Sequence, residues 1–257
     1  MASPRMEDPA AAQLIEIAWT WASSSLAHGL TPEERDRYHR LRRQVDRDMF
    51  ATGRAVLRLV AGARMDIEPH EVVVRTTCAR CGSTSHGAPT VDPVDGARAA
   101  PHISVTHAAG LVMVAATDVG RVGVDCEPLA GALVPGFADV ALAPQERASL
   151  TGAPPDALLR TWVRKEALLK AAGRGLETDP RGVVLSPWWE PPHVVATPSG
   201  TSSAGWQLVD VDPVVGFVGA VASASARSGA LKLAVRRVDL RRSDVRSAPR
   251  AQAAQGA

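Results

Sequence analysis

The 257-residue sequence is poor in cysteine, in aromatic residues and in net charge. Its three cysteines are an odd number, so we expect a reducing, cytoplasmic setting without structural disulfides. We expect no secretory signal, because the first thirty residues contain acids and no uninterrupted apolar run. The sequence also lacks an apolar stretch of about 18 residues, so it predicts no transmembrane helix.

The net charge is +2, from 29 basic and 27 acidic residues, which is too balanced to indicate nucleic-acid binding. The arginines are nevertheless concentrated in one early and one late segment. Such patches can attract a phosphate-rich ligand or an acidic protein, and solvated helix faces explain them equally well. The crowded positions are Arg35, Arg37, Arg40, Arg42, Arg43 and Arg47, and then Arg236, Arg237, Arg241 and Arg242.

The length makes two domains of about 110–130 residues plausible. We place the N-terminal lobe at residues 13–117 and the C-terminal lobe at 118–241, with disordered tails at 1–12 and 242–257. Each half begins with helical content and ends with strands, which hints at a duplication, although the two halves show no convincing self-similarity in sequence.

Local patterns predict the main elements. Residues 31–34 (TPEE) resemble a helix start with a capping box, and a second helix is predicted at about residues 46–60. Residues 78–96 are rich in Gly, Pro, Ser and Thr and indicate a loop. Strands are predicted at 111–117 and 121–127, and the tight turn between them predicts a hairpin.

Two short stretches carry most of the functional information, GVDCE at residues 123–127 and WVRKEALLK at residues 162–170. In a strand, the first stretch places Asp125 and Glu127 on one face. In a helix, the second stretch places residues that are four apart on one face. Those residues are Trp162, Glu166 and Lys170.

If the strand end and the helix meet, three carboxylates converge near a lysine. Asp125, Glu127 and Glu166 would then suit a hard cation that bridges to phosphate oxygens, which means Mg²⁺, with Mn²⁺ as an alternative. Lys165 and Lys170 could add positive charge at a phosphoryl group. Glu166 is the nearest candidate base for a substrate hydroxyl. Taken singly, each motif could be a solvated strand end or a surface ion pair, but their fixed offsets together argue against that interpretation.

The two motifs together resemble the signature pair of the 4′-phosphopantetheinyl transferase superfamily, in its longer, monomeric, surfactin-type (Sfp-type) form. Three further segments support the resemblance, which covers roughly residues 18–221. Residues 103–107 resemble that group's strand ending in Ser-His, residues 86–89 its Gly-Lys-Pro loop, and residues 144–146 its acidic turn.

The resemblance implies an activity. A holo-[acyl-carrier-protein] synthase of this family uses Mg²⁺ to transfer the 4′-phosphopantetheine arm of coenzyme A, its co-substrate, to a serine of apo acyl carrier or peptidyl carrier proteins. The reaction releases adenosine 3′,5′-bisphosphate. Fatty-acid, polyketide and nonribosomal peptide carriers all stay open as acceptors, and composition and length favour the latter two. The resemblance also implies the α+β class and the 4′-phosphopantetheinyl transferase fold, in which a pseudo-twofold relates two similar α/β lobes around a ligand cleft. The expected protein is a cytoplasmic monomer without nucleic-acid or membrane partners.

The resemblance further implies roles for individual residues. Asp125, Glu127 and Glu166 would hold the metal, and Glu166, Lys170 and Asp125 would be catalytic. Some positions depart from the family pattern: Ala88, Glu34 and Met49 stand where relatives carry basic residues. The residues expected to contact coenzyme A are Arg37, Arg47, Arg54, Gly87, Pro89, Thr106, His107, Lys165 and Lys170.

Other interpretations stay open. The same residues could serve a Mg²⁺-dependent phosphohydrolase that acts on coenzyme A or a related diphosphate, or a non-catalytic module that binds carrier proteins. A transferase needs a docking surface for its acceptor, and residues 110–114 and 130–142 are the candidates. Cys78 and Cys81 with His86 resemble part of a zinc site or a redox pair, although loop cysteines without a task are the favoured interpretation.

Overall fold

The computed structural model describes residues 13–78, 80–131, 133–173, 178–197, 205–224 and 231–240, so the predicted tails lie outside it. Within these ranges, no helix is both long enough and apolar enough to cross a membrane. The helices are α1 Pro32–Arg40, α2 Gln44–Met65, α3 Phe137–Ala141, α4 Pro144–Ser149 and α5 Ala157–Ala171. The strands are β1 Gln13–Trp21, β2 Val74–Thr77, β3 Ala88–Val91, β4 His102–Ala108, β5 Leu111–Thr117, β6 Arg121–Pro128, β7 Val184–Leu185, β8 Val194–Ala196, β9 Trp206–Asp210, β10 Phe217–Ala224 and β11 Leu231–Arg237.

Two main sheets have the same plan. The first has the strand order β11-β1-β5-β4 and the second the order β6-β10-β9. In the first half, strand β1 leads to helix α2, then to the small sheet β2-β3, and then to the antiparallel strands β4 and β5, of which β5 pairs with β1. In the second half, β6 leads to α5, then to the small sheet β7-β8, and then to the antiparallel strands β9 and β10, of which β10 pairs with β6. The predicted α+β class is therefore confirmed. The lobe boundaries stay a prediction, and β11, which falls in the predicted C-terminal lobe, pairs in parallel with β1.

The predicted hairpin between residues 111–117 and 121–127 is wrong. β5 is buried along its whole length and pairs with β1 on one edge and with β4 on the other, which leaves it no edge for β6. β6 pairs with β10 instead, so the turn after β5 carries the chain from one sheet to the other. The predicted loop at 78–96 is also interrupted by β3, which pairs with β2.

The helices of the first lobe follow their sequence signals. The Thr31 hydroxyl accepts a hydrogen bond from the Glu34 backbone N–H at 3.2 Å, and the Glu34 carboxylate accepts one from the Thr31 N–H, so the predicted capping box is confirmed. α2 extends beyond the predicted 46–60. Its apolar stripe, which includes Val56 and Val60, packs on the face of the first sheet that carries Ala18 and Val114.

The two sheets meet where β4 runs beside β6. The Ser104 hydroxyl accepts a hydrogen bond from the Val124 N–H at 3.1 Å, and the Thr106 hydroxyl donates one to Asp125 Oδ1 at 2.9 Å. One apolar cluster also joins strands from both sheets, including Ile17 of β1 and Val124 of β6. Hydrogen bonds and apolar packing therefore hold the two sheets together at this junction, and the GVDCE stretch of β6 lies there.

Candidate active site

β6 directs its acids towards helix α5, on the face opposite the apolar cluster that joins the two sheets. Val124 and Cys126 are buried in the apolar cluster, as the alternation predicts, so the side chains of Asp125 and Glu127 lie on the opposite face. Asp125 is itself only 5% exposed, and Glu127 is half-buried. A polar group as deeply buried as the Asp125 carboxylate is costly unless it has hydrogen-bond or ion-pair partners.

Lys170 is the main partner of Asp125. Its ammonium donates to Asp125 Oδ1 at 2.6 Å and to the Val124 carbonyl at 3.1 Å. The Thr106 hydroxyl donates to the same Oδ1 atom from β4. The predicted residues Asp125, Lys170 and Thr106 are therefore in contact, and they come from three separate elements.

Gly123 lets helix α5 approach this strand closely. A Cβ atom at Gly123 would lie 2.0 Å from the carbonyl oxygen of Ala167, a distance no side chain can tolerate. The helix backbone therefore rests directly on β6. This contact is what brings Glu166 and Lys170, on the helix, to Asp125 on the strand.

Three carboxylates, those of Asp125, Glu127 and Glu166, share a single neighbouring cation, Lys170. Burial, together with the neighbouring Asp125 and Glu127 charges, raises the pKa of Glu166 to about 7 against the opposing effect of Lys170. Burial and Asp125 likewise raise the pKa of Glu127. Within the described part of the chain, Asp125 Oδ2 and Glu166 Oε1 are buried without a hydrogen-bond partner. Buried oxygen ligands with a charge deficit fit a divalent cation such as Mg²⁺.

The three carboxylates are not gathered to coordination distance. Among the residues that the structure describes, only one set of three or more metal-ligating side chains has all its ligand atoms within 4.8 Å of one another. That set is Cys78, Cys81 and His86. The metal-ligand roles of Asp125, Glu127 and Glu166 accordingly stay a prediction.

Lys165 does not face this cluster, which corrects the phosphate contact predicted for it. Its side chain is 0% exposed, and its ammonium lies 2.5 Å from Glu146 Oε2. It also donates to the carbonyls of Ala141 and Pro180. Burial lowers the pKa of Lys165, and Glu146 opposes that effect. Because every donor direction is used inside the fold, Lys165 ties α5 to α4 and is not available to a ligand.

Two adjoining cavities lie on the first lobe, with volumes of about 410 Å³ and about 160 Å³. Arg37, Phe50 and Arg54 line both, so the cavities form one groove along α1, α2 and β2. The larger also includes Arg40 and Arg58 in its wall. The smaller is lined in addition by Met49, Gly53, Leu57, Gly87, Pro89, Val105 and His107.

Glu34 organises the arginines of the groove, although it stands at a position where a basic residue was expected. Its carboxylate lies 3.2 Å from Arg54 Nε and accepts two hydrogen bonds from Arg58 at 2.9 Å. Arg54 also donates to the Thr76 hydroxyl. Burial lowers the pKa of Arg54 to about 10, which still leaves it charged at neutral pH. One acid thus fixes two buried arginines and leaves the wall positive.

His107 connects the groove with the carboxylate cluster. It lines the smaller cavity, and burial lowers its pKa, with the charges of Lys170 and Arg37 contributing in the same direction. Five predicted residues therefore line one cavity, namely Arg37, Arg54, Gly87, Pro89 and His107. Arg47 lies outside the lining of both cavities and donates to the carbonyls of Leu41 and Arg42.

Arg58 was not among the residues that the sequence predicted for the site. It lies four positions after Arg54 on α2 and so shares its helix face, which is the signal that could have revealed it. The buried role of Glu146 was likewise noted only as a resemblance to an acidic turn.

A family model described as the 4′-phosphopantetheinyl transferase superfamily matches residues 121–222. The matched stretch runs from the start of β6 into β10 and contains Asp125, Glu127, Glu166 and Lys170. Among solved structures, the chain is similar to the holo-[acyl-carrier-protein] synthase of Neisseria meningitidis, with 22% identity and a TM-score of 0.35. That match covers 42% of this chain and 98% of the other. No curated protein matches the chain.

Proposed function

We propose that this protein transfers the 4′-phosphopantetheine arm of coenzyme A to a serine of an apo carrier protein, in a reaction that depends on Mg²⁺. The observation that carries the proposal is the contact of Lys170 with the buried Asp125 at the junction of the two sheets. The whole cluster falls inside the stretch that the superfamily model matches, residues 121–222.

The groove supports coenzyme A as the donor. Coenzyme A carries three phosphates, and a wall of fixed guanidinium groups is the arrangement that binds phosphates well. Arg37, Arg54 and Arg58 supply that wall, while Phe50 offers an apolar ring beneath Arg37 and Arg54. The groove leads to His107, and so the diphosphate would approach the Asp125–Lys170 pair from that side.

The proposed reaction breaks the phosphoanhydride bond of coenzyme A. The serine Oγ of the carrier attacks the phosphorus next to the pantetheine, and adenosine 3′,5′-bisphosphate leaves with the bonding electrons. Glu166 Oε1 is the nearest candidate to accept the serine proton, because it is buried and without a partner within the described structure. Lys170, which Asp125 holds in place, stabilises negative charge on the transferred group.

A divalent cation held by Asp125, Glu127 and Glu166 would neutralise charge on the diphosphate. The chain itself positions the carboxylates that would hold this ion. Asp125 is held from two sides, by Lys170 and Thr106, so that only its Oδ2 atom remains for the cation. Because α5 rests on β6, the strand that bears Asp125 and the helix that bears Glu166 are fixed with respect to each other.

A carrier protein would dock beside the end of β6. Leu129, Leu133, Val134 and Val140 are large apolar side chains with exposures between 38% and 68%, and they lie just beyond Glu127 in sequence. Such an exposed apolar group is typical of a protein interface. The other predicted docking segment, 110–114, is wrong, because residues 111–114 are fully buried in β5.

A phosphohydrolase would use the same cluster with water as the nucleophile, and the exposed apolar segment favours a protein acceptor instead. The deciding experiment incubates the protein with coenzyme A, Mg²⁺ and an apo carrier protein and weighs the carrier by mass spectrometry. A gain of one phosphopantetheine group on the carrier supports transfer. Consumption of coenzyme A without that gain would establish hydrolysis, and no change in either species would leave only a binding role. Cytoplasmic location, the monomeric state and service to polyketide or nonribosomal peptide carriers belong to the same proposal.

A further inference from the structure

We propose that Cys78, Cys81 and His86 form a binding site for one zinc ion, outside the cluster described above. The three side chains lie in the connection between β2 and β3. Their ligand atoms, two sulfurs and one ring nitrogen, all lie within 4.8 Å of one another. Two thiolates and an imidazole are soft and borderline ligands, which select zinc over Mg²⁺.

The spacing of these atoms suits tetrahedral coordination. Cys81 Sγ lies 3.4 Å from His86 Nε2. In a tetrahedral zinc site, with bonds of about 2.3 Å to sulfur and about 2.0 Å to nitrogen, these two atoms are about 3.5 Å apart. The pair is thus already at the separation that a bound ion would impose.

The backbone holds the two cysteines on one turn. The Cys78 N–H donates to the Ser83 carbonyl at 2.9 Å, and the Gly82 N–H donates to the Cys78 carbonyl at 2.9 Å. Gly82 has a φ of 70°, in the left-handed region that allows the chain to reverse. Cys81 and His86 are exposed and Cys78 is half-buried, so an ion can enter from solvent and keep a water molecule as its fourth ligand.

The ion would fasten one wall of the groove. His86 is followed by Gly87, whose φ is 114° and where an added Cβ would lie 2.3 Å from the Thr77 carbonyl. Gly87 and Pro89 line the smaller cavity. A metal bridge between the end of β2 and the start of β3 would therefore hold that wall in position. This consequence for coenzyme A rests on the proposed function, whereas zinc binding itself does not.

The test measures metal in the full-length protein without coenzyme A or carrier. Protein purified under reducing conditions from zinc-supplemented medium should contain one zinc per chain. Replacement of zinc by Co²⁺ should produce the absorption of thiolate–cobalt charge transfer. Cys81→Ser and His86→Ala should each weaken zinc binding by about tenfold or more. The matched controls Cys126→Ala and His70→Ala should keep one zinc per chain.

Three results would overturn the site. The first is wild-type protein that takes up no zinc although both loop thiols are shown to be reduced by alkylation. The second is a Cys78–Cys81 disulfide that forms in preference to metal binding under the same conditions. The third is zinc that remains bound at full stoichiometry in Cys81→Ser, which would place the ion elsewhere, for example on the carboxylates. Because each readout is metal content, it is independent of whether the protein transfers phosphopantetheine.

Discussion

At the scale of single residues, the two lysines of the WVRKEALLK stretch lie in different environments. Substitution of Lys165 should mainly affect stability, whereas substitution of Lys170 should also affect catalysis. Lys170 faces the carboxylate cluster and is 27% exposed at its side chain, whereas Lys165 is completely buried against Glu146. Their spacing of five residues places the two lysines on different faces of α5, but the sequence could not show which acid each face meets. What decides the matter is which acid each lysine meets, and that depends on the packing of α4 and α5.

The first prediction therefore compares Lys165→Met with Lys170→Met. Lys165→Met strands the buried Glu146 carboxylate and should lower the free energy of unfolding by about 3–5 kcal/mol, with most activity per folded molecule retained. Lys170→Met also leaves a buried carboxylate, that of Asp125, without its ion-pair partner, so it should lose stability as well. Unlike Lys165→Met, it should in addition reduce kcat by about 10²–10³-fold per folded molecule, because it removes positive charge from the reacting group. Urea unfolding and steady-state kinetics measure both. The reverse pattern, with Lys165→Met inactive but stable, would contradict these assignments.

A second prediction concerns the ionisation of His107. Burial, with a contribution from the charge of Lys170, lowers its pKa below 6.5, so the folded state favours the neutral ring. The unfolded state then binds more protons as the pH falls, and His107 should contribute a loss of stability below about pH 6.5. Titration of the ring proton signals by NMR, in the folded protein and again in denaturant, measures this directly. A pKa of His107 that is higher in the folded than in the denatured protein would contradict it.

Among the structural elements, the contact between β6 and α5 decides whether the cluster can form. Gly123→Ala would drive a methyl group into the Ala167 carbonyl, so the helix must move away from the strand. We expect a loss of about 1–3 kcal/mol in unfolding free energy and a large loss of activity, because Glu166 and Asp125 separate. Gly53→Ala in α2 is the matched control. Its added methyl would meet Val105 and Val112 at ordinary distances of 3.6 and 3.8 Å.

For that control, we expect unchanged or slightly higher stability, by up to about 1 kcal/mol, since alanine favours a helix over glycine. Thermal or urea unfolding of both variants makes the comparison. Equal stability of Gly123→Ala and Gly53→Ala would show that the close approach at Gly123 has no energetic consequence.

The sequence predicted the helices and strands far better than it predicted which strands pair with each other. The alternation of Val124, Asp125 and Cys126 correctly placed Asp125 on the strand face opposite Val124 and Cys126, and the capping box correctly placed the start of α1. The pairing of β5 with β6 was wrong because a hairpin is judged from local signals, whereas β5 was already paired on both edges by distant strands. The short β3 was missed because Gly, Pro and Thr dominate its surroundings.

For the whole molecule, the two sheets share one topology although their sequences show no convincing repeat. Strand order and connectivity agree, whereas the small sheet β2-β3 of the first half borders the groove and the cluster lies on β6 of the second. The sequence could suggest two lobes, but the groove itself could not be inferred, because it depends on how α1, α2 and β2 pack together.

The groove provides a prediction about binding of the donor. Arg37 lines both cavities, whereas Arg47 is occupied by the carbonyls of Leu41 and Arg42. Arg37→Ala should raise KM for coenzyme A by about 10–100-fold, the value of one charge-assisted hydrogen bond, with a smaller effect on kcat. Arg47→Ala is the matched control and should change KM little. Equal effects of the two substitutions would mean that the donor does not bind in this groove.

The most direct measurement for the central claim is a crystal structure of the protein with coenzyme A and Mg²⁺. The account predicts that the adenosine end lies along Arg37 and Arg54, that the diphosphate lies between His107 and Lys170, and that the ion is bound by Asp125, Glu127 and Glu166. Coenzyme A bound away from the sheet junction, or a diphosphate with no ion and no contact to Lys170, would contradict it.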